Sequence, residues 1–416
     1  QKRGAIVGSS LNTAYLLERL SQTLERLETL MAIFVSNRYL PRRILLLTGC
    51  FARAAAERHS ISRLWKQSSG LIARSVTQNA GDHGEHYITR DKKEYWAMFY
   101  SAAGGGVLIA LMALFKTYLG SIIDDKVWKG LAEGLNYGFG FMVIFMLHFT
   151  VATKQPAMTA ARFAEAVEKN PQGKTLNMKL AQLLVDVFRS QSVAVLGNVV
   201  VAMGLAALIA FVYQHQTGEP LMNSEKIAYQ LHRIDPLDGS LWFAAIAGVW
   251  LFCSGIISGY FDNRSNYLNM RMRLAQHPLL KKLMSEKSRV KFANYMHENY
   301  GSLIGNFCFG MLLGLTGLVG YLTHLPLDIR HVAFSSANLG YSAVSGQFAY
   351  PFFLQCIAFV LLIGLVNLMV SFSLTLWVAL RSLNTEIDSW WAIWHEVCQI
   401  VKKRPLSLFF PVQLDK

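Results

Sequence analysis

Residues Leu135–Thr159 read LNYGFGFMVIFMLHFTVATKQPAMT, and the break inside this stretch decides the fold. Its first part, Leu135–Thr153, carries no formal charge and is mostly large apolar or aromatic. At ~1.5 Å per residue a helix over it reaches ~28 Å, close to the ~30 Å hydrocarbon core of a bilayer. Lys154, Gln155 and Pro156 then arrive together. A proline just past an apolar helix ends or kinks it, and the lysine belongs at headgroup level.

Five further stretches behave in the same way: Ala102–Ile123, Ala194–Tyr213, Leu241–Phe261, Leu303–Leu322 and Phe352–Leu380, each with at most one formal charge. That charge, Lys116, lies near the far end of the first stretch, where it can snorkel to the interface. The last stretch is over-long and implies tilt or a partly extramembrane end. Composition agrees: of 416 residues 53% are hydrophobic and 16% charged, where soluble domains average about 25% charged. The expected fold is an all-α polytopic integral membrane protein. A basic helical cytoplasmic or interfacial segment covers 1–100, a bundle of six transmembrane helices 101–381, and a cytoplasmic tail 382–416.

The net charge of +14 could point to nucleic acid, but its placement points to topology. Lys154–Val193 holds six Lys/Arg and Asp262–Ser302 holds eight, while the opposite connections hold two, two and one. The positive-inside rule then places both termini and both long basic connections in the cytoplasm. In the N-terminal segment Leu17, Leu20, Leu24, Leu27, Met31 and Phe34 form a heptad-like seam, expected to pack on neighbouring helices or to pair two copies. Pro41 ends it, and Ile44–Cys50 is too short to span, so a buried or interfacial helix is expected there. Trp65, Lys66 and Arg74 continue a basic amphipathic pattern suited to headgroups. The five cysteines are far apart with no CxxC pair, and no metal is expected. With no initiating Met or signal-peptide pattern, the chain reads as the C-terminal portion of something longer, or as a processed form.

Leu196-Gly197-Asn198 aligns with Ile304-Gly305-Asn306 at an offset that also matches Met203 with Met311, Leu205 with Leu313 and Tyr213 with Tyr321. The third and fifth spans would then be equivalent helices of a parallel repeat. His148, Asn198, Asn306 and Asn367 are intramembrane polar candidates, for function or for helix–helix hydrogen bonding. On the cytoplasmic side three segments bring Glu85, His86, Arg90, Lys154, Gln155, Asp262, Asn263 and Arg264 to one depth. The expected role of this rim is to hold a phosphate or carboxylate, with Lys154 in reach of Glu85 or Asp262. The alternative is mutual pairing that pins the N-terminal segment on the bundle. On the outer face Asp328, Arg330 and His331 should form a polar pin, each charge with its own partner, anchoring Val332–Tyr350 against the bundle or partly into it.

GEHYITRDKKEY, NYGFGF, ATKQPAMTA, GYFDN, RLAQHP, LIGN and LPLDIRHV, in this order, resemble the bacterial site-specific recombinase transmembrane family (SpecificRecomb) over nearly the whole chain. The resemblance implies a bacterial inner (cytoplasmic) membrane protein, longer at its N-terminus, and by name a DNA recombinase. The residues argue against that chemistry. None of the 11 histidines begins a His-x-x-Arg, Ser9 and Ser10 beside Arg3 make no serine-recombinase set, and basic loops flanking bilayer offer no groove for a duplex. Asp82, His83, Glu85 and His86, and His395–Cys398, fall short of zinc sites, and no phosphate loop or nucleophile elbow occurs.

The expected function is therefore non-enzymatic: an inner-membrane protein handling a lipid or small anionic ligand, in transport or envelope assembly. A structural scaffold is the alternative, and an enzyme acting on a lipid through Glu85 and His86 stands third. No catalytic residue or cofactor is assigned. The partners expected are membrane lipids and a second copy or another membrane protein, with no specific nucleic acid.

Overall fold

A computed structural model of the protein describes residues 40–57, 88–89, 91–151, 174–383, 387 and 389–411, with isolated positions between 16 and 31 and between 159 and 167. Every regular element among them is helical. Helix α1 covers Leu40–Glu57, with Pro41 in the first turn, where its missing N–H is no loss. Ile44 and Leu45 on it are exposed, as interfacial residues would be. The described seam residues Leu20, Leu24, Leu27 and Met31 are exposed too, so these four do not pack on neighbouring helices of the chain, while Leu17 and Phe34 lie outside the described residues. A three–four spacing builds an apolar stripe without specifying what covers it.

The bundle follows: α2 (Lys92–Ile122), α3 (Lys126–Met146), α4 (Lys174–Thr217), the short α5 (Ser224–Ile234) and α6 (Ser240–Tyr267). Then come α7 (Met270–Gln276), α8 (Pro278–Leu283), α9 (Glu286–Thr323), α10 (Val332–Ser345), α11 (Tyr350–Leu383) and α12 (Trp390–Lys403). Side-chain caps start several of them: Asp91 accepts from Glu94 N, Asp125 from Val127 N and Trp128 N, Asn223 from Lys226 N. Five helices are long and apolar enough to cross a bilayer, over Lys92–Ile122, Asn177–Thr217, Ser240–Tyr267, Glu286–Thr323 and Tyr350–Arg381. The protein is an all-α polytopic membrane protein. Exposed aromatics mark the two interfaces: Tyr100 and Tyr118 on α2, Trp242 and Tyr260 on α6. Each pair lies ~27 Å apart along its helix, close to the hydrocarbon thickness.

The second expected span is corrected. Its helix is α3, which starts at Lys126, well before Leu135, and stops at Met146, short of Lys154 and Pro156. Asp125 caps the early start, and at the other end the backbone turns onto α2. His148 takes a left-handed φ of 58°, Thr150 N donates to Ser101 O at 3.1 Å, and the Ser101 and Thr150 hydroxyls meet at 2.9 Å. The early start brings Lys129 and Glu133 into the helix, so α3 is not among the five apolar helices. It is instead covered by α9 and α2. Gly310 and Gly314 of α9 lie directly on the α3 backbone at Tyr137–Gly138 and Gly134, where a Cβ would collide.

Helices α4 and α9 have 44 and 38 residues, so at ~66 and ~57 Å both overhang the bilayer. The overhangs lie at the basic end and take up much of the two long basic connections. There α12 packs on α4 through Leu180, Val185, Ile393 and Val397. Buried Arg189 donates to Thr89 O and Ser407 O and pairs with Asp186 at 2.9 Å, which ties residues 88–89, α4 and the C-terminal turn together.

Between α9 and α11 the chain re-enters the bundle. Helix α10 is almost wholly buried; Tyr341 OH donates to Ala110 O at 3.0 Å, and Gly340 lies on the Met203 backbone. The order long–short–long over α4–α5–α6 recurs over α9–α10–α11. The short helices begin at Ser224 and Val332, which stand at the same offset as Asn198 and Asn306.

Candidate functional site

Charge is expensive inside a bilayer unless paired, so the described charges at membrane depth locate the site. Lys116, expected to snorkel to the interface, is instead held by a partner on the next helix. Its Nζ meets Glu133 Oε2 of α3 at 3.0 Å, with the side chains 29% and 13% exposed, and it lies 5.3 Å from the Tyr137 ring centroid. Helix α5 brings Lys226, Tyr229 and Arg233 to one face by their three–four spacing. Arg233 Nη1 donates to Tyr229 OH at 2.6 Å and pairs with Asp328 Oδ2 at 3.3 Å.

Arg330 Nη1 also pairs with Asp328 Oδ2, at 2.6 Å, while its Nε donates to Arg233 O at 2.7 Å. This corrects the pin, whose two charges were expected to have separate partners. Residues 325–331 are not helical, and in an extended chain side chains two apart share a side. Burial would raise the Asp328 carboxyl, but Arg233 and Arg330 outweigh it and hold it below the usual range. His331 stands among Phe141, Phe309 and Phe334, with ring centroids at 6.0, 5.8 and 5.7 Å. Its burial pushes the imidazole down to about 3, so it is neutral.

These groups line a cavity of about 540 Å³ between α2, α3, α5, α9 and α10. Six cations, Lys116, Lys126, Lys129, Lys226, Arg233 and Arg330, face it against two carboxylates, Glu133 and Asp328. The arginines and Lys116 are engaged by the carboxylates. Lys126 lies 4.1 Å over the Tyr321 ring, and among the described residues Lys126, Lys129 and Lys226 make no ion pair. The arrangement is an excess of positive charge at one end of a half-enclosed cavity, suited to a phosphate or carboxylate.

Of the expected rim, Glu85, His86, Arg90, Lys154 and Gln155 lie outside the described residues, as does the contact proposed for Lys154. Asp262 Oδ1 accepts from Gly301 N of α9 at 2.9 Å, Asn263 follows on the same turn, and Arg264 Nη1 donates to Tyr260 OH at 3.5 Å. The cavity lines α9 near Gly317, ~24 Å along that helix from Gly301. The intramembrane polar candidates divide. Asn198 Nδ2 donates to Ala102 O and Thr150 O, whereas Asn306 Nδ2 donates to Ser302 O of its own helix. Asn367 Nδ2 donates to Ala244 O and Arg330 O, and its Oδ1 accepts from Val332 N. His148 is exposed just past the end of α3 rather than within a helix. Among the described residues no cluster fit to hold a metal occurs.

Comparison with known families places the chain as a whole. The family model described as site-specific recombinase (SpecificRecomb) matches residues 1–411. The chain belongs to this family. No curated protein and no solved structure matches it. For this SpecificRecomb member, sequence reasoning counted Lys126, Lys129, Lys226 and Arg233 only as loop charges and overlooked Glu133 and Tyr137. The one available signal was Lys116, a charge inside an apolar span.

Proposed function

We propose that this SpecificRecomb protein is a non-enzymatic inner-membrane protein that binds a phosphate- or carboxylate-bearing ligand in the cavity between α2, α3, α5, α9 and α10. The observation that carries the reading is the six-to-two excess of cations over carboxylates around it, with Lys126, Lys129 and Lys226 left over for a ligand. Transport of the ligand, or its presentation for envelope assembly, fits such a site. The charge distribution supports an orientation with the cavity facing away from the cytoplasm and both termini inside. Lipids, and a second copy or another membrane protein, remain the proposed partners.

A scaffold role is the second reading, favoured by the pairs Lys116–Glu133 and Arg233–Asp328–Arg330, which brace four elements without any ligand. Recombination, the third, draws on the family description and on Tyr229 lying beside two arginines. A cavity of about 540 Å³ half-enclosed between helices has no room for a duplex. The test is equilibrium binding of glycerol phosphate to the purified full chain in detergent. Lys126→Gln with Lys129→Gln should weaken binding at least ~10-fold, about 1.4 kcal/mol, without lowering the melting temperature. Equal binding by parent and variant removes the anion site and leaves the scaffold.

A further inference from the structure

A second cavity adjoins the cationic one. It has a volume of about 660 Å³ and lies between Leu111, Leu114 and Phe115 of α2 and Ile209 and Tyr213 of α4, with Leu221 beyond them. Thr117 and Lys226 line both cavities, so the two meet at these residues. Leu111, Phe115 and Tyr213 are exposed, and they lie on helices that cross the bilayer, so this groove opens sideways to hydrocarbon. Lys226, at the junction, is exposed and makes no ion pair among the described residues.

A water-soluble anion would use the cationic cavity alone and gain nothing from an apolar trough beside it. An uncharged lipid would use the trough and leave the lysines unanswered. The molecule that matches both halves has an anionic head and a hydrocarbon chain, and it can enter from the bilayer without its chain crossing water. We infer that the ligand is a single anionic amphiphile, its head among Lys126, Lys129 and Lys226 and its acyl chain in the groove between α2 and α4. This rests on the anion-binding reading above and adds the lipid nature of the ligand and its lateral entry.

The test measures binding of three probes to the full chain in detergent: lysophosphatidylglycerol, lysophosphatidylcholine and glycerol phosphate. Leu111→Trp and Ile209→Trp fill the groove from its two sides, so either variant that elutes and melts like the parent gives the reading. The parent should bind lysophosphatidylglycerol at least ~10-fold tighter than either other probe, a gap of about 1.4 kcal/mol. Groove filling should erase most of the preference over glycerol phosphate, by weakening both lysolipids, and leave glycerol phosphate itself unchanged. Lys129→Gln should weaken both anionic probes. If groove filling leaves lysophosphatidylglycerol unaffected while Lys129→Gln weakens both, the acyl groove is wrong and the anion site stands. Equal affinity for the zwitterionic and anionic lysolipids would mark ordinary boundary lipid and overturn the inference. If Lys126→Gln with Lys129→Gln changes no probe, the anion site itself fails and the inference falls with it.

Discussion

Asn367 and Asn306 are both buried asparagines on spanning helices, yet they do different work. Asn367 joins α6, residues 330–332 and α11 with three hydrogen bonds, one of which satisfies the backbone N–H of Val332. Asn367→Ala removes all three and strands a buried donor, so it should cost ~2–3 kcal/mol. Asn306→Ala only frees a carbonyl that already belongs to its own helix and should cost under ~1 kcal/mol. Denaturant unfolding in detergent would show the difference; equal losses would refute it. Sequence position alone treats the two alike, because what separates them is which backbone groups stand opposite. His331 supplies a pH dependence. Its folded pKa of about 3 lies below the ordinary ~6.5, so its burial favours folding fully above pH ~6.5 and progressively less as pH falls toward 3. Asp328, also depressed, adds its loss only below the ordinary carboxylate range. The melting temperature should therefore fall between pH 7 and pH 5, and His331→Phe should flatten that fall. An unchanged slope in the variant would remove His331 as its source.

At the scale of elements, α3 shows where sequence reading stopped. The apolar length of Leu135–Thr153 was legible, but its register was not: the Asp125 cap is a local signal that the charges of Lys126, Lys129 and Glu133 obscured, and Glu133 as the partner of Lys116 depends on a neighbouring helix. The α3–α9 contact is a backbone approach through Gly310 and Gly314. Gly310→Leu should push the helices apart and cost ~3 kcal/mol or more, by the overpacking and backbone shift it forces. Gly204 on α4 has nothing within 4 Å of the Cβ position, so Gly204→Ala should be neutral or stabilising by up to ~1 kcal/mol. Thermal unfolding of the two variants checks this, and a stable Gly310→Leu would contradict the close packing. The segment Val332–Tyr350 was readable as uncharged, anchored and packed against or partly into the bundle; its helical form was not, since its serines are satisfied locally, as by Ser336 Oγ on Ala333 O at 2.8 Å.

For the molecule as a whole, the five apolar helices were legible because crossing a bilayer is a matter of length and composition, which a single chain states directly. The cavity was not. Its residues come from α2, α3, α5, α9 and the connection after α9, and no local pattern links Lys116 to Glu133 or Arg233 to Asp328. Its orientation is still a matter of charge counting and can be tested. Single cysteines introduced at positions within 214–240 should react with an impermeant reagent applied from outside intact cells, and those within 271–291 should not. The reverse pattern would turn the cavity toward the cytoplasm.

Helix α10 has one more consequence, for the order in which the protein is assembled. It has 14 residues, ~21 Å of helix, too short to be threaded across the bilayer as a span. Synthesis delivers α2, α3, α4 and α9 to the membrane before α10 exists. Ala110, Met203 and Ala206, which α10 covers in the finished fold, therefore wait for a segment made after them, and the packing of α2 on α4 closes only once residues 332–345 have been synthesised and have folded back into the bundle.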